Sequence, residues 1–300
     1  MAVTTAQFNT YKTATDAKLA DLQNQINLLK NRVTALESAA PAPTPTPTTT
    51  VYDNFPADYN LNTNGQLSPN GKWQLAYTGY NPSNPDNDRG VSGVAALSSA
   101  IPGTQYTRMF FAYPYSGVNT GGTNATLTIS TAEFADFDHT LYMRTIKGMR
   151  SPTPKNWEVA WLLFRFNLAG FTIADRGAHF HHYYFLIHRD GHLEFGRKDN
   201  TQEWEEQTFL STDQFVTYAD GRWYKVRIKI VGFHIQIWID DVLKIDMVDD
   251  GTKGTRKKLD RTTGVTSTIP VEPPSDFMKK GRWCHYAEDA HGQWGPTVTA

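Results

Sequence analysis

The sequence predicts a two-sheet, all-β sandwich carried behind an N-terminal α-helical coiled coil. Leu19, Leu22, Ile26, Leu29, Val33 and Leu36 advance by 3, 4, 3, 4 and 3 residues, which is the seam spacing of a coiled coil. A proline-threonine tract then ends any helix. From Val51 onward apolar residues recur with period two and no strand–helix alternation follows, as expected for sheet packed on sheet. The expected organisation is an anchor and stalk over 1–38, a linker over 39–50 and a sandwich over 51–300.

With Leu19 at heptad position a, Ile26 and Val33 repeat it, while Leu22, Leu29 and Leu36 fall at d. Polar and charged residues fill most intervening positions, and no glycine or proline appears before Pro41. Upstream, Phe8, Lys12 and Thr15 make a weak seam, so residues before Asp16 are expected to splay or to dock on a partner. β-Branched residues at a over leucine at d favour two strands. Against that, Arg32-Val-Thr-Ala-Leu-Glu37 resembles a known trimerisation signature. The Arg32 stem would cover the core and its guanidinium would reach Glu37 of a neighbouring chain, a forked and partly desolvated pair. A homotrimer is therefore expected, with packing of one amphipathic helix on its own domain as the alternative.

Pro41 to Thr50 alternates proline with small residues, which gives an extended, semi-rigid spacer. A formal charge of −1 over 300 residues lacks the basic excess of a nucleic-acid binder. No apolar run approaches the ~20 residues of a membrane helix, and Met1 to Lys12 lacks the pattern of a secretory signal. No nucleic-acid partner and no membrane insertion are expected, and synthesis in a cytoplasm is. The single cysteine, Cys284, excludes an intrachain disulfide and reads as a packed small hydrophobe.

The clearest strands form a meander: Trp223–Val231, His234–Ile239 and Val242–Asp246, joined by Gly232-Phe233 and Asp240-Asp241. Tyr224, Val226, Ile228 and Ile230 alternate with Lys225, Arg227 and Lys229, so one face is buried and one is wet. Ile235, Ile237 and Ile239 face the core beside them, leaving His234, Gln236 and Trp238 outside. Further strands are expected at Ala125–Ser130, Thr140–Thr145, Val159–Phe166, His181–His188 and His192–Arg197. Asn119 to Asn124 and Arg189-Asp-Gly191 supply turn chemistry.

Asp53-Asn-Phe55, Gly71-Lys-Trp73, the run from Gly221-Arg-Trp223 to Asp240, and Gly281-Arg-Trp-Cys-His-Tyr286-Ala-Glu-Asp289 resemble the concanavalin A-like lectin/glucanase superfamily. The resemblance implies a jelly roll over most of 51–300, with the Gly281 strand closing it beside the N-terminal strand. It also implies an oxygen-ligated calcium at Asp53, Asn54 and Asp289, as in sandwich lectins that tie their chain ends together; otherwise no cofactor is expected. The sequence departs from the pattern in a polar insertion, Gly251–Lys280, between the last two strands. This insertion carries Lys253, Arg256, Lys257, Lys258 and Arg261.

A retaining glucanase of that superfamily carries Glu-x-Asp-x-Glu on one strand, with two carboxylates about 5–5.5 Å apart. No such motif occurs here, so the chain is expected not to be an enzyme. Glu133, Asp136 and Asp138 fall in a turn, and Glu203 and Glu205 share a face without a supporting Asp between them. His179, His181, His182, His188 and His192 cluster along the chain but show no Cys or acidic partner at ligand spacing. A hydrogen-bonded aromatic–histidine face is expected, and no metal site.

Sugar binding calls for rings that stack on a pyranose face with polar donors beside them. The candidates are Trp161 with Arg165, His182 with Tyr184, and Gln236 with Trp238. Stalk, spacer and lectin-like head together have the layout of bacteriophage and other virion fibres. The expected function is a homotrimeric virion fibre, minor tail or capsid-decoration protein. It would join other virion proteins through its N-terminus and bind cell-surface glycan for host attachment. The alternatives are a carbohydrate-active enzyme and a structural decoration protein that binds no glycan.

Overall fold

The computed structural model describes residues 18, 19, 22, 23, 26, 27 and 30, then 50–78, 90–114, 124–150, 153–169, 180–201 and 203–299. The chain divides into two units, Met1–Thr48 and Thr49–Ala300. The described residues of the first unit are helical, and Leu19, Leu22 and Ile26 are exposed there at 67%, 55% and 44%. Leu29, Arg32, Val33, Leu36 and Glu37 lie outside the described residues, so the coiled coil expected from the heptads is not shown. The expected linker, apart from Thr50, also lies outside them. No helix among the described residues is long and apolar enough to cross a membrane.

Among the described residues of the second unit, the regular structure is strand apart from a 3-10 turn at Asp276–Met278. It begins with β1 (Thr50–Val51), β2 (Tyr59–Leu61), β3 (Trp73–Thr78), β4 (Val91–Ala96) and β5 (Arg108–Tyr113). Longer strands follow: β6 (Ala125–Phe134), β7 (Phe137–Gly148), β8 (Ala160–Asn167), β9 (Phe180–Ile187), β10 (His192–Asn200) and β11 (Trp204–Phe215). The meander is β12 (Tyr224–Val231), β13 (His234–Ile239) and β14 (Val242–Val248). Last come β15 (Thr255–Asp260), β16 (Thr266–Ile269), β17 (Gly281–Glu288), β18 (Ala290–Trp294) and β19 (Val298–Thr299).

These strands make a sandwich of two antiparallel sheets. One runs β14-β13-β12-β7-β18-β5-β4-β2, with β19 on β7 and β1 on β19; the other runs β16-β15-β11-β10-β9-β8-β17-β6-β3. The main core fills the space between them, because alternate residues of each strand point inward. The meander behaves as its sequence predicts: Tyr224, Val226, Ile228, Ile230, Ile235, Ile237 and Ile239 are all buried. Asp240 and Asp241 turn it at φ 50° and 66°, the left-handed pair a two-residue hairpin needs.

Two expectations are corrected. Gly251–Lys280 is not a plain insertion between the last two strands. It contains the β15–β16 hairpin that extends the second sheet beyond β11. Its Arg256 turns back onto Glu206 and reaches Glu272 at 2.8 Å, with Arg256 and Glu206 both buried. Nor does the Gly281 strand close the sandwich beside the first strand: β17 lies between β8 and β6, and β1 pairs with β19. Sequence periodicity shows that a segment is a strand, whereas its neighbours are chosen by long-range packing.

Candidate functional site

Alternation along the second sheet turns one set of side chains toward the core and another set outward. On β8, Ala160, Leu162 and Phe164 join the main core, while Trp161 and Leu163 belong to a separate outer cluster. On β9, Tyr183 and Phe185 point in, and Tyr184 and Leu186 point out with His182 and His188 on the same side. The same parity carries Glu194, Gly196 and Lys198 of β10, Glu205 and Gln207 of β11, and Tyr286 and Glu288 of β17 to the outer face. Tyr77 arrives there past a bulge in β3.

That face is curled into a trough. Tyr77 on β3 and Glu205 on β11 stand six strands apart, ~29 Å in a flat sheet with ~4.8 Å between strands. Yet the Glu205 charge acts on the Tyr77 hydroxyl. Lys198 pairs with Glu205 at 2.6 Å, and its charge also acts on Glu288 across the sheet.

The floor is aromatic. Trp161 packs against Tyr184 at 5.6 Å and edge-on to Tyr286 at 5.4 Å. Gln207 donates to the Tyr184 hydroxyl at 2.8 Å, and the His188 ring bonds Glu194 at 3.0 Å. A Cβ on Gly196 would stand 2.4 Å from that same hydroxyl, so glycine leaves the room in which the Tyr184 ring tip sits.

Two carboxylates on this face are pushed in opposite directions. Burial raises Glu288 above the usual range, aided by the Asp289 and Glu158 charges and opposed by the Tyr286 hydroxyl (2.8 Å) and Lys198. Burial acts to raise Glu205 as well, but the Lys198 ammonium, with Arg261 behind it, holds it below that range. Two carboxyls whose surroundings shift them in opposite directions on one face are the arrangement from which acid and base roles can be divided. Burial also raises Tyr184 and Tyr286, so both remain neutral donors.

The residues expected to bind sugar are divided by the fold. Trp161, His182 and Tyr184 come together on the trough, at 7%, 3% and 0% exposure. Arg165 leaves Trp161's face because β8 bulges there (φ 51°), and its guanidinium is spent on the carbonyls of Ala135 and Met278. Gln236 and Trp238 lie on the outer face of the other sheet, on the opposite side of the sandwich. There Gln236 donates to Asp246 at 3.0 Å, and the Arg227 guanidinium lies 4.5 Å from the Trp238 ring centre.

The calcium candidates have other partners. Asp53 is buried and accepts from the Phe55 N–H (3.0 Å), the Trp73 indole (2.9 Å) and Asn70 (3.1 Å). Asp289 accepts from the Asn124 N–H and pairs with Arg150, while Asn54 is exposed.

Among the histidines, His181 pairs with Asp199 at 2.9 Å, and His182 packs against both Phe166 and Phe180, which also touch each other. Its Nδ1 is buried with no hydrogen-bond partner among the described residues, so the expected hydrogen bonding of this aromatic face is not met there. His179 lies outside the described residues. The expectation that no acidic partner sits at ligand spacing is corrected at the β9–β10 turn, where Asp190 stands between His188 and His192. His188-x-Asp190-x-His192 was visible in the sequence but reads there as turn chemistry. Glu288, Lys198 and Gln207 were missed outright, although Tyr286-x-Glu288 carried the two-residue spacing of a shared face. Glu203 precedes β11 and is exposed, so it does not share the trough with Glu205. Cys284 is buried in the outer cluster, as expected.

No protein-family model matches the chain, and no curated protein matches it. Among solved structures, the chain is similar to the carbohydrate binding module CBM66 from Bacillus subtilis, at 12% identity and a TM-score of 0.40, covering 75% of this chain and 92% of that one. A protein of unknown function with galectin-like fold, also from Bacillus subtilis, gives 10% identity and a TM-score of 0.41, covering 81% and 95%. A Bacillus licheniformis beta-glucanase gives 12% identity and a TM-score of 0.35, covering 81% and 97%. These neighbours include a carbohydrate-binding module and a glucanase, and the expectation that the chain is not an enzyme is corrected on that finding. The virion placement expected from the sequence has no support in the fold or in the comparisons.

Proposed function

We propose that the trough binds a glycan chain and cleaves a glycosidic bond in it, with Glu288 as proton donor and Glu205 as the carboxylate that stays ionised. One observation carries this reading: two carboxylates, Glu205 on β11 and Glu288 on β17, share one outer face with Tyr184 and Trp161 between them in strand order. The half-buried Tyr77 and Tyr286 supply rings for a pyranose face, and Lys198 and Gln207 supply donors for its hydroxyls.

The test pairs affinity electrophoresis against a panel of polysaccharides with measurement of released reducing ends. At least one glycan should both retard the protein and be cleaved. Glu288→Gln should then lower release by ~10²–10⁴-fold while leaving retardation in place. Retardation without release from any glycan removes the catalytic assignment and keeps recognition; no retardation by any glycan removes both.

For the first unit we propose self-association, supported by the exposed Leu19, Leu22 and Ile26 on helical residues. A trimer of the full chain would multiply a weak trough affinity by ~10²–10⁴ through avidity.

A further inference from the structure

We propose that the β9–β10 hairpin is a binding site for a divalent transition-metal ion, ligated by His188, Asp190 and His192. One ligand atom from each of these residues lies within 4.8 Å of the other two, and no other such group occurs among the described residues. The two imidazoles are stacked with centroids 3.7 Å apart, and the Asp190 carboxylate is 2.6 Å from the His192 Nδ1.

A second observation points to the ion. His188 is buried at 4% exposure and bonds Glu194 through Nε2 at 3.0 Å. A carboxylate accepts only, so the proton sits on Nε2 and the lone pair on Nδ1. That Nδ1 is buried with no hydrogen-bond partner among the described residues, an arrangement that costs free energy unless something accepts the lone pair. Carboxylate, histidine and metal in series is how proteins orient a ligating imidazole, and Glu194 already stands in the outer position.

The turn is braced on both sides. Gly191 adopts φ +92° and donates to the His188 carbonyl at 2.9 Å, while Val216 donates back to the Gly191 carbonyl at 2.9 Å. A Cβ on Gly191 would meet the Val216 carbonyl oxygen at 2.2 Å. From the other side, Arg189 N–H donates to the Asn156 carbonyl at 3.0 Å, and the Asn156 amide holds the second Asp190 oxygen at 2.7 Å. A tetrahedral ion at ~2.0–2.1 Å from each ligand separates two ligand atoms by about 3.3 Å. Reaching that spacing opens the Asp190–His192 contact from 2.6 Å and turns the half-buried His192 ring out of its stack on His188, so that both in-plane lone pairs meet at the ion.

Two imidazoles and a carboxylate suit zinc, cobalt or nickel, and three protein ligands leave a fourth position open; calcium prefers an all-oxygen set. The site lies beside Glu194 at one end of the trough, but the inference does not depend on the glycan reading.

The experiment titrates zinc(II) into chelator-treated full-length protein by calorimetry, with the visible spectrum of the cobalt(II) form as a second readout. One saturable equivalent per chain, a higher Tm with zinc and tetrahedral cobalt bands are expected, with no heat from calcium. His192→Ala and Asp190→Asn should each weaken zinc binding by at least ~100-fold, and Glu194→Gln by ~10–100-fold. His234→Ala, on the other sheet beside Asp246, should leave it unchanged. Metal-free melting shows that each variant is folded, and Asp190→Asn preserves shape if His192→Ala perturbs the turn. Absence of saturable zinc binding, or unchanged affinity in folded His192→Ala and Asp190→Asn proteins, overturns the proposal.

Discussion

His139 and His285 are buried, and neither ring nitrogen of either residue has a hydrogen-bond partner among the described residues. His285 lies between the indoles of Trp73 (4.5 Å) and Trp294 (4.9 Å), both stacked on it. Burial pushes each histidine down to about 3 from an ordinary 6.5. The folded state therefore holds them neutral while the unfolded chain takes up protons below pH 6.5, so stability is full above that pH and falls as pH drops toward 3. At pH 5 the loss is ~2 kcal/mol per histidine, to be seen by urea unfolding at pH 7 and pH 5; His285→Phe should remove its share of the slope. The trough carboxylates give a separate pH signature. Under the hydrolysis proposal, turnover falls as pH rises through the raised Glu288 value and again as pH drops through the lowered Glu205 value, and a flat rate profile would contradict it. Gly196→Ala drives a methyl into the Tyr184 hydroxyl and the Thr208 carbonyl. This should cost about 1–3 kcal/mol in chemical denaturation.

The β15–β16 hairpin is held to the sheet by more than its ladder. Arg256 places its guanidinium on Glu206 and Glu272 and donates to the Pro270 carbonyl at 3.2 Å. Removing Arg256 leaves buried Glu206 with only Lys258, at 3.6 Å, so Arg256→Ala should cost about 1–3 kcal/mol in urea unfolding. The sequence showed these residues only as a run of positive charge. Charge along a chain reads as a solvated surface unless the opposite carboxylate is known to be near, and Glu206 is brought there by pairing of β11 with β15. Arg165 makes the same point in reverse: period-two counting put it beside Trp161, and a single left-handed residue in β8 moved it to the Ala135 and Met278 carbonyls. The β12–β13 part of the meander was legible because both strands alternate without a bulge, and the turn into β14 carries two aspartates that tolerate positive φ; the bulge between β13 and β14 beyond Ile237 was not.

At the scale of the whole chain, the two units make separate predictions. The sandwich unit has its own core, so a chain truncated to begin at Thr49 should still fold and melt in one cooperative transition, as thermal unfolding would show. Under the self-association proposal, sedimentation should give a trimer mass for the full chain and a monomer mass for the truncated one. Equal monomeric masses would remove the stalk proposal. Glycan retardation should then survive truncation but weaken, as avidity is lost with the shared axis.

The sequence by itself determined that this is a strand protein with one buried face per strand, because alternation of apolar side chains is a local property that each strand carries in its own residues. It likewise determined the helical period of the N-terminal seam, although not what that seam meets. Only the tertiary structure decided which outward residues share a face. Glu205, Lys198, Trp161, Tyr184 and Glu288 sit on five different strands, and they converge because those strands are neighbours in one sheet and that sheet curls. Strand order and curl arise from contacts between segments far apart in the chain, so periodicity could nominate Trp161 and Trp238 equally. The fold placed one in the trough and the other on the opposite side of the sandwich.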